Sequence, residues 1–370
     1  MHAHGRSAAA ALRHTATPGR PPRGPRPGRG AAGAGARQDG VALVVALLVF
    51  ALCAALLVAL QRDFTLAYQR ASNRFLAEQS WSYLRGAEEL ATLALQIDEV
   101  RDREREAPRD DLTEVWAREA TPYALEEGGW LVGSLQDLQG RFNLNSLVSQ
   151  TPGGEAGGAA RYTPAQRVFI RLLQTFEELP LSEYEAIAVT ESIGDWLDAD
   201  GNPRFNGAEA TVYASRSPPY RPANAPMRDV SELRAVANVS PELYLRLLPL
   251  VTVWPESPRA INIHTAPQPL LRALHVLGGL QPLSPADGEA LLQQRAESGF
   301  AGVDDYFAQP VFAGASPEAL TALRALLGES SSYFLLTARV EIADREQRLY
   351  SVLRREERRV DVLQRLRGAL

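Results

Sequence analysis

Asp198, Asp200, Asn202, Asn206 and Glu209 place oxygen side chains at positions one, three, five, nine and twelve of the stretch DADGNPRFNGAE, with the carbonyl of Arg204 at position seven. An EF-hand loop wraps calcium from those positions. Hard oxygen donors without His or Cys point to calcium rather than zinc. Pro203 stands where an EF-hand has its position-six Gly, and no convincing helix follows. The expected structure is therefore a calcium loop of different backbone geometry. The competing reading is an Asx-rich turn between helices, for which Gly, Pro, Asn and Asp are ordinary residues. A structural ion suits the cysteine content, since the one cysteine, Cys53, lies in an apolar run and no intrachain disulfide can staple the rest.

Other chemistry is sparse. His264 and His275 are the only histidines after the apolar run, no free Cys stands outside it, and no Gly-x-Ser-x-Gly occurs. Nothing assembles a nucleophile and a base, so no catalytic residue is expected and both histidines read as satisfied structural groups. The acidic pairs Glu88-Glu89 and Asp304-Asp305 are expected to face solvent on helices.

The elements that must carry such a site begin with residues 41–60, a charge-free run of twenty. An α-helix of that length crosses about 30 Å of hydrocarbon. Before it lie seven Arg and one Asp; after residue 40 come 32 Arg against 43 Asp plus Glu, with no Lys anywhere. Basic residues flanking a first span favour the cytoplasmic side, which puts the acidic body outside. The stretch PGRPPRGPRPGRG is low-complexity and is read as part of a leader; the competing reading is a basic arm for nucleic acid. Beyond the span, Phe64, Tyr68, Ala71, Phe75, Trp81, Leu84, Ala87, Leu90 and Ala94 keep near-helical spacing. A helix from Val41 to about Ile97 would be roughly 85 Å long.

Residues 122–138 read as a hairpin about Gly128-Gly129, and residues 333–366 as three β-like runs with a turn at Ala343-Asp344. Helix-start signals lie between them at Thr163-Pro164, at Ser182 and Asp229 ahead of Glu185 and Glu232, at Ser240-Pro241, and at Thr265 before Pro267. The expected fold is α+β, a unit in which a long N-terminal helix packs on a small antiparallel sheet, interrupted by a large inserted α-helical domain.

The one sharp junction, Arg37-Gln38-Asp39-Gly40 against Val41, precedes the apolar run, so cleavage there keeps the membrane helix on the mature chain. This resembles the class III leader of type IV pilins and type II secretion pseudopilins, cut after Gly by a membrane aspartyl peptidase. Most such subunits carry Glu at mature position five; here it is Val45. RQDGVALVVALLV, GGWLVGSLQDLQGRFNLNSLV at 128–148, DWLDADGNPRFNGAEATVY at 195–213, PPYRPANAPMRDVSELRAV at 218–236 and INIHTAP at 261–267 together resemble the minor pseudopilin K of type II secretion systems. The leader is longer than is usual there.

The resemblance implies that the α+β unit is pilin-like, that the chain is processed between Gly40 and Val41, and that it is a non-enzymatic subunit at the tip of a pseudopilus that drives export of folded exoproteins. It also implies a single-pass inner-membrane anchor with the bulk in the periplasm. Partners would be I-, J- and H-type minor pseudopilins, the major pseudopilin, the prepilin peptidase and the inner-membrane platform, with exoprotein cargo or the outer-membrane secretin as further candidates. Calcium would be structural, held by Asp198, Asp200, Asn202, Arg204, Asn206 and Glu209. The expected organisation is a leader over 1–40, the span over 41–60, helix and first strands over 61–142, the insert over 143–328 in two parts (143–255 and 256–328), and closing strands over 329–370.

Ile261-Asn-Ile-His-Thr-Ala with Leu270-Leu, Leu277-Gly-Gly-Leu and Gln294-Arg295 also resembles a helix-hairpin-helix repeat, which grips phosphates through backbone amides. A membrane-anchored DNA-uptake protein is the alternative. The acidic body, the lack of Lys and the lack of aromatics interleaved with Arg weigh against it, so no nucleic-acid partner is expected.

Overall fold

The computed structural model describes residues 38–105, 108–118, 120–126, 128–148, 158–276, 279–357 and 359–368. The expected leader lies outside them up to residue 37, as do the glycine-rich stretch 151–157 and residues 277 and 278 of the helix-hairpin-helix-like segment. Two units divide the chain, residues 1–71 and 72–370.

In the first unit the described residues are all helical and belong to α1 (Gln38–Asp102), which exceeds the expected bounds at both ends. Val41, Leu47, Phe50, Leu57 and Phe64 are exposed. This helix is long and apolar enough to cross a membrane.

In the second unit α1 changes from apolar all round to one buried stripe. Leu84, Ala87, Ala91 and Leu95 recur at helical spacing and bury against Phe334, Leu336, Ala338 and Val340, alternate residues of a strand. The strands β1 (Tyr123–Ala124) and β2 (Trp130–Asp137) form the expected hairpin. Gly129 sits at φ +104 with the Glu341 carbonyl oxygen 1.9 Å from where a Cβ would lie, so only glycine fits that turn.

Beyond β3 (Phe142–Asn143) come α2 (Pro164–Leu173), α3 (Glu183–Leu197), α4 (Ala210–Ala214), α5 (Pro241–Leu247) and β4 (Val251–Thr252). A second stretch holds β5 (Ile261–Asn262), α6 (Gln268–Ala273), α7 (Pro285–Glu297), α8 (Val303–Phe307), α9 (Pro317–Arg324) and β6 (Leu327–Gly328). The chain ends in β7 (Tyr333–Ile342), β8 (Arg345–Glu356) and β9 (Arg359–Arg367), giving one antiparallel sheet of order β1-β2-β7-β8-β9. Ala343 and Asp344 both take positive φ, as a two-residue hairpin turn requires.

The sequence suggested a purely helical insert, but two parallel ladders frame its parts: Phe142 pairs with Val251, and Ile261 with Leu327. At two residues each they are too short to leave an alternation pattern. The helices share one core, in which Phe142 stacks on Phe169 with ring centroids 5.1 Å apart. Thr163 and Ser182 cap α2 and α3 through full capping boxes, and Ser240 caps α5. Asp229 instead starts a 3₁₀ turn, Val230–Ala235. Thr265 caps nothing: its hydroxyl donates to Asp137 Oδ2 at 2.5 Å, and α6 begins behind Pro267 without a side-chain cap.

Buried polar groups fasten these layers. Asp137, at the end of β2, accepts from Thr265 Oγ1, Ser331 Oγ at 2.6 Å and Asn262 Nδ2 at 3.2 Å; the same Asn262 nitrogen reaches Asp110 O at 2.9 Å. One carboxylate and one amide thus join the end of the hairpin, both ends of the second helical stretch and the chain after α1. Glu88 corrects the expectation of a solvated acidic pair, for it is 1% exposed while Glu89 stays in solvent. Burial alone would raise its carboxyl, but Arg365, bound at 2.8 and 3.0 Å, and Ser351, at 2.6 Å, hold it below the ordinary carboxylate value.

Candidate metal site

α3 ends at Leu197, and Asp198 follows as its C-cap, so the loop leaves directly from a buried helix end. Carboxylate oxygens of Asp198, Asp200 and Glu209 lie within 4.8 Å of one another. Asp198 Oδ1 and Glu209 Oε1 are both buried and lack hydrogen-bond partners among the described residues. Burial, followed by the neighbouring acids, pushes the Glu209 carboxyl upward, and burial pushes Asp198 upward despite Arg204. Two orphaned oxygens and crowded negative charge are what a hard divalent cation would satisfy, so the donor set fits calcium.

The loop does not follow an EF-hand register. Asn202 and Asn206 act through the backbone: the Asn202 N–H donates to Asp200 Oδ1 at 2.9 Å and the Asn206 N–H to Glu191 Oε2 at 2.6 Å. Arg204, expected to offer its carbonyl, gives that carbonyl to the Gly207 N–H at 3.1 Å. Its guanidinium enters the cluster instead, with Nη1 2.8 Å from Asp195 Oδ1 and 3.0 Å from Asp198 Oδ2. Gly207 is needed here because a Cβ would stand 2.0 Å from Asp195 Oδ2. A helix does follow, contrary to expectation: Glu209 is the N-cap of α4, its Oε2 accepting the Ala210 N–H at 3.2 Å.

Sequence spacing missed two neighbours. Asp195 is fully buried beneath Arg204. Asn224 donates Nδ2 to the Asp200 carbonyl at 2.7 Å, and its buried Oδ1 has no partner among the described residues, adding a third orphaned oxygen beside the loop. It lies 24 residues from Asp200, beyond any loop motif; its only sequence signal is the turn-prone run Pro222-Ala-Asn-Ala-Pro226.

A second acidic group, Asp98, Asp102, Asp110 and Glu114, lies buried where α1 ends. It already contains cations: Arg355 pairs with Asp98 at 3.0 Å and with Asp110, and Arg105 Nη1 lies 2.9 Å from Asp102 and 2.6 Å from Glu114. This group reads as an internal ion-pair network.

His264 and His275 are buried, and burial lowers each to about 4, leaving neutral rings at pH 7. The expectation that both are satisfied needs correction, since His264 Nε2 and His275 Nδ1 have no partner among the described residues. The arginines of the helix-hairpin-helix-like region face inward. Arg295 donates to Ala266 O at 2.6 Å and Arg272 to Leu283 O at 2.9 Å. Side chains spent on buried carbonyls cannot grip phosphates.

Comparison with known proteins agrees with this architecture. The family described as type II secretion system (T2SS), protein K, matches residues 140–256 and, in a second part, 261–328. Type II secretion system protein K of Pseudomonas aeruginosa is 35% identical over 330 residues, covering 86% of this chain and 89% of that protein. The Klebsiella pneumoniae protein of the same name is 33% identical, covering 90% of this chain and 97% of its own. A solved chain from the crystal structure of the GspK-GspI-GspJ complex of the enterotoxigenic Escherichia coli type 2 secretion system superposes with a TM-score of 0.68 at 29% identity, covering 81% of this chain and 100% of that one.

Proposed function

Because the chain belongs to the type II secretion system protein K family and is a minor pseudopilin of that system, we propose that it forms part of the pseudopilus tip and starts assembly of the filament that exports folded exoproteins. The observation that carries the tip position is Val45. Counted from Val41, the fifth residue of the long apolar α1 has no carboxylate to pair with the amino terminus of a subunit ahead, and a terminal subunit needs none. The role is structural rather than enzymatic.

Processing between Gly40 and Val41 by a prepilin peptidase, a single-pass inner-membrane anchor and a periplasmic body complete the reading; the exposed apolar surface of α1 supports the anchor. I- and J-type minor pseudopilins are its proposed direct partners, in line with the complex in which the solved relative was found. The H-type and major pseudopilins, the inner-membrane platform, and cargo or the outer-membrane secretin follow from the same reading. Asp198, Asp200 and Glu209, with Asn224 beside them, would hold a structural calcium ion.

Co-expression with and without a prepilin peptidase, followed by the mass of the N-terminal peptide, tests the proposal. A peptide beginning at Val41 only when the peptidase is present is expected; an intact Gly40-Val41 bond under both conditions overturns it.

A further inference from the structure

A cavity of about 320 Å³ lies on the sheet face opposite α1. Leu335, Tyr350, Val352 and Leu366 line it from the sheet, and Val251 and Trp254 from the chain after α5. Its volume is at the lower end of the range for small-molecule pockets. Among the described residues, the one cationic side chain on its wall is Arg141.

Arg141 hydrogen-bonds only neutral acceptors among the described residues, Leu248 O at 3.4 Å and Gln136 Oε1. Asp229, the one carboxylate on the wall among the described residues, is engaged at a helix start, accepting the Ser231 N–H at 2.8 Å. Burial lowers the Arg141 guanidinium below its ordinary value, and Asp137 offsets only part of this. A neutral apolar occupant would leave that cation with neutral hydrogen-bond acceptors alone, and a small hydrophilic anion would leave the apolar walls uncovered.

We propose that the cavity binds a small amphiphilic monocarboxylate, its apolar chain lying along the sheet and its carboxylate pairing with the Arg141 fork. Planar, two-pronged recognition of a carboxylate is the chemistry arginine performs best. Asp229 on the same wall disfavours a second negative charge on the ligand. Such a ligand would bridge the sheet and the helical insert, a role separate from filament assembly.

The test uses the full chain in lipid nanodiscs, titrated with isotopically labelled decanoate and corrected for empty nanodiscs, with 1-decanol as the neutral comparison. One saturable site per chain is expected. Arg141→Gln should weaken decanoate about tenfold or more while leaving decanol within about twofold. Gln364→Trp, a half-buried edge-strand residue on the cavity wall, should abolish both.

Thermal melts establish that each variant is folded. Should Arg141→Gln not fold, Arg141→Lys replaces it, keeping the charge but not the fork, with a smaller loss for decanoate alone. The proposal is overturned if wild-type chain shows no saturable binding above empty nanodiscs. It is also overturned if Gln364→Trp leaves binding intact, or if the Arg141 variant weakens decanol as much as decanoate.

Discussion

Asp198 Oδ1 and Glu209 Oε1 are the residue-scale features that most invite a ligand, because a buried carboxylate oxygen without a donor is costly. If calcium supplies what they lack, Glu209→Ala or Asp200→Ala should lower the melting temperature by about 5 °C in calcium and by little in chelator. Equal shifts in both conditions would remove the site. The carboxylates were legible because they repeat at short spacing within twelve residues. The Arg204 guanidinium and Asn224 were not, since a loop motif carries no record of which way a long side chain turns or of what packs from 24 residues away.

The end of α1 makes a different residue-scale prediction. Burial pushes Asp98 to about 6 and Asp110 to about 7 in spite of Arg355. Such groups hold protons in the folded chain at pH values where the unfolded chain has released them. Their stabilisation is full below the ordinary carboxylate value and lost as pH rises through about 6 to 7. With chelator present, the free energy of unfolding should fall by roughly 1–3 kcal/mol from about pH 4.5 to 7.5. Asp110→Asn should flatten that profile; a wild-type profile rising over the same window contradicts the assignment. No local pattern foretold this network, since Asp98 and Arg355 stand 257 positions apart.

Among elements, local signals were read where local physics decides them. Capping boxes at Thr163 and Ser182, the Gly128-Gly129 turn and the alternation of β7 all concern neighbouring residues. What escaped was long-range: the two-residue parallel ladders, and Thr265, whose hydroxyl serves Asp137 across 128 positions instead of a helix end. Asn262 stands at that junction with one amide nitrogen shared among Asp110 O, Asp137 Oδ2 and Ser331 Oγ. Asn262→Ala should destabilise the chain by about 2–4 kcal/mol, because it takes the donor from the Asp110 carbonyl, one of three donors from Asp137 Oδ2 and the acceptor from the buried His264 N–H. Denaturant unfolding measures it, and a loss below about 0.5 kcal/mol would mean that water or a rearranged side chain replaces the amide.

For the whole molecule, the apolar run, the absent fifth-position carboxylate and the ordered sequence blocks made the family legible before any coordinates. If this subunit caps the filament, Val45→Glu should reduce exoprotein export, because a carboxylate within the apolar span would then have no partner subunit ahead. Unchanged export together with cross-links along the filament shaft would argue for a shaft subunit.

The parallel ladders also bear on force. In β3-β4 and β5-β6 the chain enters one strand and leaves the other at opposite ends. Tension along the chain would therefore load each ladder in shear, its hydrogen bonds sharing the pull instead of unzipping in turn. The helices between would bear little of it, so the domain behind each clamp would keep its shape while the flanking chain is stretched.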